Sequence, residues 1–202
     1  MKIILIWIQW SWKWTQAKIL KEKYGFKIYE TWKFLREIAS KDNELWRKIK
    51  SIIDSWRQVS PDVVEEILKE VMKDNHDKKL ILDGFVRNPW NKLSVDKIIK
   101  NYKVLYLNLP EKEARKRLLW RMYDVETWET FIAWTLINPK NWNKLVKRAD
   151  DEENAVNERI RLFYEITMPV IEEYKKSWNI IEVNANWSIE DVSHEIEQKI
   201  KL

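Results

Sequence analysis

The chain has 202 residues, 45% of them hydrophobic and 34% charged, and a formal net charge of +5. This mix suits one α/β domain with small insertions and excludes a disordered chain; the absence of cysteine excludes disulfides and a thiolate metal site. No apolar run reaches the roughly 18–20 residues of a membrane span, and so mild a basic excess suits an anionic ligand without being a nucleic-acid signature. The simplest reading is a cytoplasmic protein with no membrane and no nucleic-acid partner.

The first expected strand covers residues 3–8 and is too short and too weakly flanked for a signal peptide. The segment Trp7-Ile8-Gln9-Trp10-Ser11-Trp12-Lys13-Trp14-Thr15 follows, then an amphipathic helix over 16–24. Strand, short loop, lysine and helix are the setting of a phosphate-binding loop. Such a loop needs glycine, because its backbone turns partly at positive φ and brings N–H groups against phosphate oxygens. Read with glycine at each tryptophan, the segment fits G-x-x-x-x-G-K-[GST]. Trp7 and Trp12 then fall on the two fixed glycines and Lys13 on the lysine. Further strands are expected near 26–29, 80–83, 104–108 and 180–183, with helices between them, for example over 61–73 and 111–119. Alternating strands and helices predict a three-layer α/β fold around a parallel five-stranded sheet, with ligands beyond the carboxyl ends of the strands.

Two counts are abnormal. Glycine occurs twice, as Gly25 and Gly84, and tryptophan 14 times; average usage of about 7% predicts roughly 14 glycines in a chain this long. Many tryptophans stand where glycine chemistry is wanted. Trp178 follows a charged helix and precedes a strand, a helix C′ position. Trp128 and Trp142 sit at polar turns, and Asn141 before Trp142 would make an Asn-Gly turn signal. Trp56 ends an expected helix at its cap. No helical or alternating stripe makes these residues a core face. UGA encodes tryptophan in some genetic codes and glycine in others, so a UGA-for-glycine gene read with the wrong table gives this pattern.

With that substitution the chain resembles the adenylate kinases, of the nucleoside monophosphate kinase family, along nearly its whole length. After the loop, Glu30-Thr31-Trp32-Lys33-Phe34-Leu35-Arg36 is similar to the family's Thr-Gly-Asp-x-Leu-Arg. Asp54-Ser55-Trp56-Arg57-Gln58-Val59 resembles its AMP-site turn. Asp83-Gly84-Phe85-Val86-Arg87-Asn88 resembles Asp-Gly-Phe-Pro-Arg-Thr. Leu119-Trp120-Arg121 resembles the start of the lid, and Lys147-Arg148-Ala149-Asp150-Asp151 with Asn157-Glu158-Arg159 its closing arginine region. The resemblance implies a phosphate-loop core over 1–29, 60–119 and 149–202, an AMP-binding insertion over 30–59 and a lid over 120–148. It implies reversible phosphoryl transfer from ATP to AMP, with Mg²⁺ as cofactor, in a monomer.

By resemblance, the catalytic residues are Lys13, Arg87, Arg121, Arg148 and Arg159. ATP would be held by Trp10, Ser11, Trp12, Lys13, Trp14, Thr15, Arg117 and Arg121. AMP would be held by Thr31, Arg36, Arg57, Val59, Gly84, Arg87, Asn91, Arg148 and Arg159. Asp83 would position Mg²⁺ through water. The physical case agrees: phosphoryl transfer needs cationic clamps, alignment and exclusion of water, and arginine forks suit phosphate. No general base is needed, since the AMP phosphate oxygen is already an anionic nucleophile. His76 and His194 read as surface residues, and Tyr102, Tyr106 and Phe163 as packing.

There are departures. Val86 replaces the usual Pro and Lys33 the usual Asp. Asn91 stands where the adenylate enzymes carry Gln, which resembles kinases acting on UMP and CMP; Thr31 and the long lid are adenylate-like. Without cysteine, no zinc is expected in the lid. The opposing readings take the tryptophans literally, as a catalytically dead kinase fold serving as an interaction module or as stacking platforms for single-stranded nucleic acid.

Overall fold

The computed structural model describes residues 1–8, 11–31, 33–35, 60–127, 129–132, 136–147 and 151–201. Five parallel strands make the central sheet: β1 (Lys2–Trp7), β2 (Lys27–Glu30), β3 (Leu80–Asp83), β4 (Lys103–Asn108) and β8 (Ile180–Asn184). Their order is β2-β3-β1-β4-β8. Leu5 pairs with Asp83 and Trp7 with Leu107, so the carboxyl ends of β1, β3 and β4 share one edge. All four residues of β3 are buried, as an apolar strand covered on both faces should be. The expected parallel five-stranded α/β sheet is present, with no strand end shifted by more than one residue.

The helices around it are α1 (Lys13–Tyr24), α2 (Pro61–Lys73), α3 (Pro89–Ile98), α4 (Glu111–Leu119), α5 (Glu153–Leu162), α6 (Met168–Lys176) and α7 (Ile189–Ile200). Helix α1 starts at Lys13, three residues earlier than the apolar pattern suggested, so the loop lysine lies in its first turn. In α2, Pro61 opens the helix and Val63, Val64, Ile67, Leu68, Val71 and Met72 bury one face. In α3, the Asn88 side chain caps the Asn91 N–H at 2.8 Å and Pro89 takes the first turn. Five residues of π-helix, Phe163–Thr167, join α5 to α6. The core runs through β1, β3 and β4 and includes Tyr106 and Phe163, with Tyr102 at its border. His76 and His194 are exposed. Among the described residues, no helix is long and apolar enough to cross a membrane.

A second sheet lies between residues 121 and 146. Its strands β5 (Arg121–Asp124), β6 (Thr130–Ile132) and β7 (Leu145–Val146) are antiparallel, in the order β6-β5-β7. Fully buried Asp124 ties its turns together. One carboxylate oxygen accepts the Glu126 N–H at 2.9 Å and the Thr127 N–H at 3.2 Å. The other accepts the side-chain amides of Asn138 at 2.7 Å and Asn141 at 2.8 Å. Burial pushes this carboxyl up, but the hydrogen bonds outweigh it and hold it well below the usual carboxylate range.

Candidate active site

Three groups of expected site residues stand at the described loop and strand ends. The first gathers where β1 and β3 end. Lys13, in the first turn of α1, donates to Asp83 Oδ2 at 2.8 Å. The other oxygen, Asp83 Oδ1, is buried with no hydrogen-bond partner among the described residues. So is the Ser11 hydroxyl, just before the helix. Such orphans are rare inside proteins and point to a missing ligand, ion or water. Burial pulls the Lys13 ammonium below the ordinary lysine range, against the opposing pull of Asp83. It lowers the Arg87 guanidinium in the same way.

Gly84 and Thr31 complete this group. Gly84 has φ +81°, a left-handed conformation that favours glycine, and a Cβ there would lie 3.5 Å from Thr31 Oγ1 and 3.8 Å from Arg87 Nη2. The Thr31 hydroxyl donates to the Asp83 carbonyl at 3.2 Å. From the π-helical segment, the Thr167 hydroxyl donates to the Arg87 carbonyl at 2.9 Å, fixing the backbone that carries this arginine. Thr15 is half-buried and Trp14 exposed, both in the first turn of α1.

The indoles occupy the space over these cations. Lys13 Nζ lies 3.7 Å from the centre of the Trp7 ring and Arg87 Cζ 5.3 Å from it. Arg117 Cζ lies 5.3 Å from the Trp12 ring. Cations are attracted to indole faces, and here two rings cover three of the cations expected to bind nucleotide.

The second group centres on Asp151, which is fully buried. It receives Nε and Nη2 of Arg121 on its two oxygens and Nη1 of Arg159 at 3.4 Å. A small core of Leu118, Val156 and Ile160 joins α4 to α5 and so brackets these arginines. The third group is Arg117, whose Nη1 reaches the Ala185 carbonyl at 3.4 Å while its ring-facing side meets Trp12.

Asn91 is buried in the first turn of α3, and its backbone N–H is taken by Asn88. Trp10, Arg36, Arg57, Val59 and Arg148 lie outside the described residues. Sequence reasoning gave no role to Asp151 or Thr167. Asp151 stood inside a quoted motif, but a buried carboxylate and a solvated one look alike in a sequence. Thr167 carried no signal at all, because its partner is a backbone carbonyl 80 residues away.

Comparison with known proteins bears on the whole chain. The adenylate kinase family model matches residues 10–179. The chain is 34% identical to the adenylate kinase of Archaeoglobus fulgidus, over 94% of this chain and 94% of that protein. It is 31% identical to the adenylate kinase of Chloroherpeton thalassium, over 98% and 97% of the two chains. It is 30% identical to that of Ureaplasma urealyticum, over 100% and 99%. Likeness of this extent spans the five-stranded sheet, the three residue groups and the small antiparallel sheet, so the chain belongs to the adenylate kinase family of phosphotransferase enzymes.

Proposed function

We propose that the protein transfers the terminal phosphoryl group of ATP to AMP, reversibly, giving two ADP. The observation that carries this is the Lys13–Asp83 pair, set at the carboxyl ends of two adjacent parallel strands, with Asp83 Oδ1 left unpartnered. Ligands of open α/β sheets bind at this edge. The ends of a helix and two strands converge there with cations, and family membership supplies the reaction.

Lys13 binds the β- and γ-phosphates, and Arg87 spans donor and acceptor phosphates near the point of transfer. Thr31 and the Gly84 turn let the acceptor phosphate approach the backbone; Arg36, Arg57, Val59 and Asn91 form the rest of the AMP site. Ser11, Trp12, Trp14, Thr15 and Trp10 are the positions of the loop around the ATP phosphates. Arg121, Arg148 and Arg159 stabilise charge on the transferring group, and Arg117 lies over the ATP base. Asp151 presets Arg121 and Arg159, so the fork geometry that phosphate needs exists before substrate arrives.

The buried, unpartnered carboxylate oxygen beside the phosphate loop fits a hydrated Mg²⁺. Asp83 would hold that ion through water, and the ion, when bound, would neutralise negative charge on the phosphates. The segment over 30–59 serves as the acceptor insertion and the sheet within 120–148 as a lid that excludes water. We expect a cytoplasmic monomer.

The test is ADP formation from ATP–Mg²⁺ and AMP by protein purified from its source cells, with CMP and UMP as competing acceptors. Turnover with AMP well above the other two is the expected result. Folded protein inactive with every acceptor overturns the reading.

A further inference from the structure

We propose that the fourteen tryptophan positions carry glycine in the protein as its own cell makes it, their codons being UGA read as glycine. The backbone argues first. Four described residues other than glycine have positive φ, and three of them are Trp12 (59°), Trp142 (63°) and Trp178 (56°). The fourth, Lys201, ends the last helix at φ 57°. Both true glycines share the niche, Gly25 at 72° and Gly84 at 81°. A bulky residue in this region is an outlier, and glycine is its default occupant. One coincidence would be unremarkable; three positions from one rare residue type are not.

The local hydrogen bonds agree. After α6, the Trp178 N–H donates to the Lys175 carbonyl at 3.1 Å and the Asn179 N–H to the Tyr174 carbonyl at 3.2 Å. That pair of bonds is the Schellman ending, whose C′ residue is left-handed and usually glycine. The same role at the end of α1 is filled by Gly25, whose N–H donates to the Lys21 carbonyl.

The side chains argue next. Eight of the fourteen tryptophans lie among the described residues, and none is buried. Trp178 is 89% exposed and Trp142 80%. Tryptophan is normally highly buried on average and dominates core packing. Among the described residues, the core is built mainly of Ile, Leu, Val, Phe and Tyr and holds no fully buried indole. Of the eight, Trp7 alone is among the partly buried residues packed against the main core.

At the phosphate loop the inference deepens the kinase reading and rests on it. The left-handed residue at 12, followed by right-handed helix from Lys13, makes successive N–H groups converge as an anion-binding nest. With glycine at 7, 12 and 14, the described rings that stand over Lys13, Arg87 and Arg117 would be gone. The ligand class this opens to is the polyphosphate of a nucleoside triphosphate. The turns at 142 and 178 support the substitution without any reference to catalysis.

Peptide mass spectrometry of the protein purified from its source cells tests this. The tryptic peptide over residues 3–13 spans three of the positions, and peptides covering 142 and 178 give two independent ones. Glycine masses at all of them, with UGA at the matching codons, are expected. Indole masses at these positions, or UGG codons in the gene, overturn the proposal. Activity measured on the same sample separates the two readings: a glycine protein that never phosphorylates AMP sinks the kinase reading and leaves this one standing, whereas an active protein with indole masses does the reverse.

Discussion

Arg121 lays its guanidinium along the Asp151 carboxylate through both Nε and Nη2, and Asp151 is fully buried. The same carboxylate reaches Arg159, so one acid sets the direction of two cations. Asp151→Asn removes the buried carboxylate from its pair with Arg121, and breaking a buried ion pair typically costs about 3–5 kcal/mol of stability. Misplacing the two forks would also lower kcat, by about 100-fold for an error near 1 Å, with a smaller effect on KM. Thermal melting and steady-state kinetics on Asp151→Asn check both. Unchanged kcat would mean the arginines find their places without it.

Lys13 pairs with Asp83 at 2.8 Å, and the proposed function gives the two different tasks. Lys13→Met should cut kcat/KM for ATP by about 100- to 1,000-fold, the usual scale for removing one charge-stabilising donor. Asp83→Asn should instead raise the Mg²⁺ concentration needed for half-maximal rate. A magnesium titration of both variants separates the roles, since Lys13→Met should leave the magnesium midpoint in place.

The two native glycines form an internal comparison. Gly84→Ala and Gly25→Ala both force a side chain to positive φ, at a cost of about 1–2 kcal/mol each. A Cβ at 25 meets nothing within 4 Å, whereas one at 84 touches Thr31 and sits 3.8 Å from Arg87. Both variants should melt lower by similar amounts, and only Gly84→Ala should lose activity. Equal kinetic effects would contradict this placement of the acceptor phosphate.

Asp124 gives the small sheet an acid sensitivity. Its folded pKa lies below its unfolded value, because the bonds from Asn138, Asn141 and the Glu126 and Thr127 N–H groups favour the charged form more than burial disfavours it. Its stabilising contribution is therefore present above the ordinary carboxylate range and is lost as pH falls through the folded value. Melting temperature followed from neutral to acid pH should fall less steeply in Asp124→Asn than in the parent. The variant should be the less stable of the two at neutral pH.

In a chain that does carry the indoles, Trp178→Gly relieves a left-handed strain and should raise the melting temperature by a few degrees, about 2–4 °C per kcal/mol at this size. Trp90 lies in the first turns of α3 at ordinary helical geometry. Trp90→Gly should therefore fail to stabilise and should lower the melting temperature slightly, as glycine does in helices. Differential scanning calorimetry on the two single variants decides it.

Much of this protein follows from its sequence because the information is local. Apolar runs near 80–83 and 104–108 state buried parallel strands, and Pro61 with its six spaced apolar residues states a helix face. The loop from Trp7 to Thr15 is legible as a phosphate loop since strand, lysine and helix adjoin in the chain, and Trp178 is legible as a glycine position from its place between a helix and a strand. The sequence also separates Gly84 from an ordinary residue through the Asp83–Arg87 motif. What the tertiary structure decided is which charges meet. Lys13 with Asp83, Thr167 with the Arg87 carbonyl, and Arg121 with Asp151 are pairs 70, 80 and 30 residues apart. No periodicity encodes such pairs, because a hydrogen bond across the fold depends on how sheets and helices pack, not on spacing along the chain.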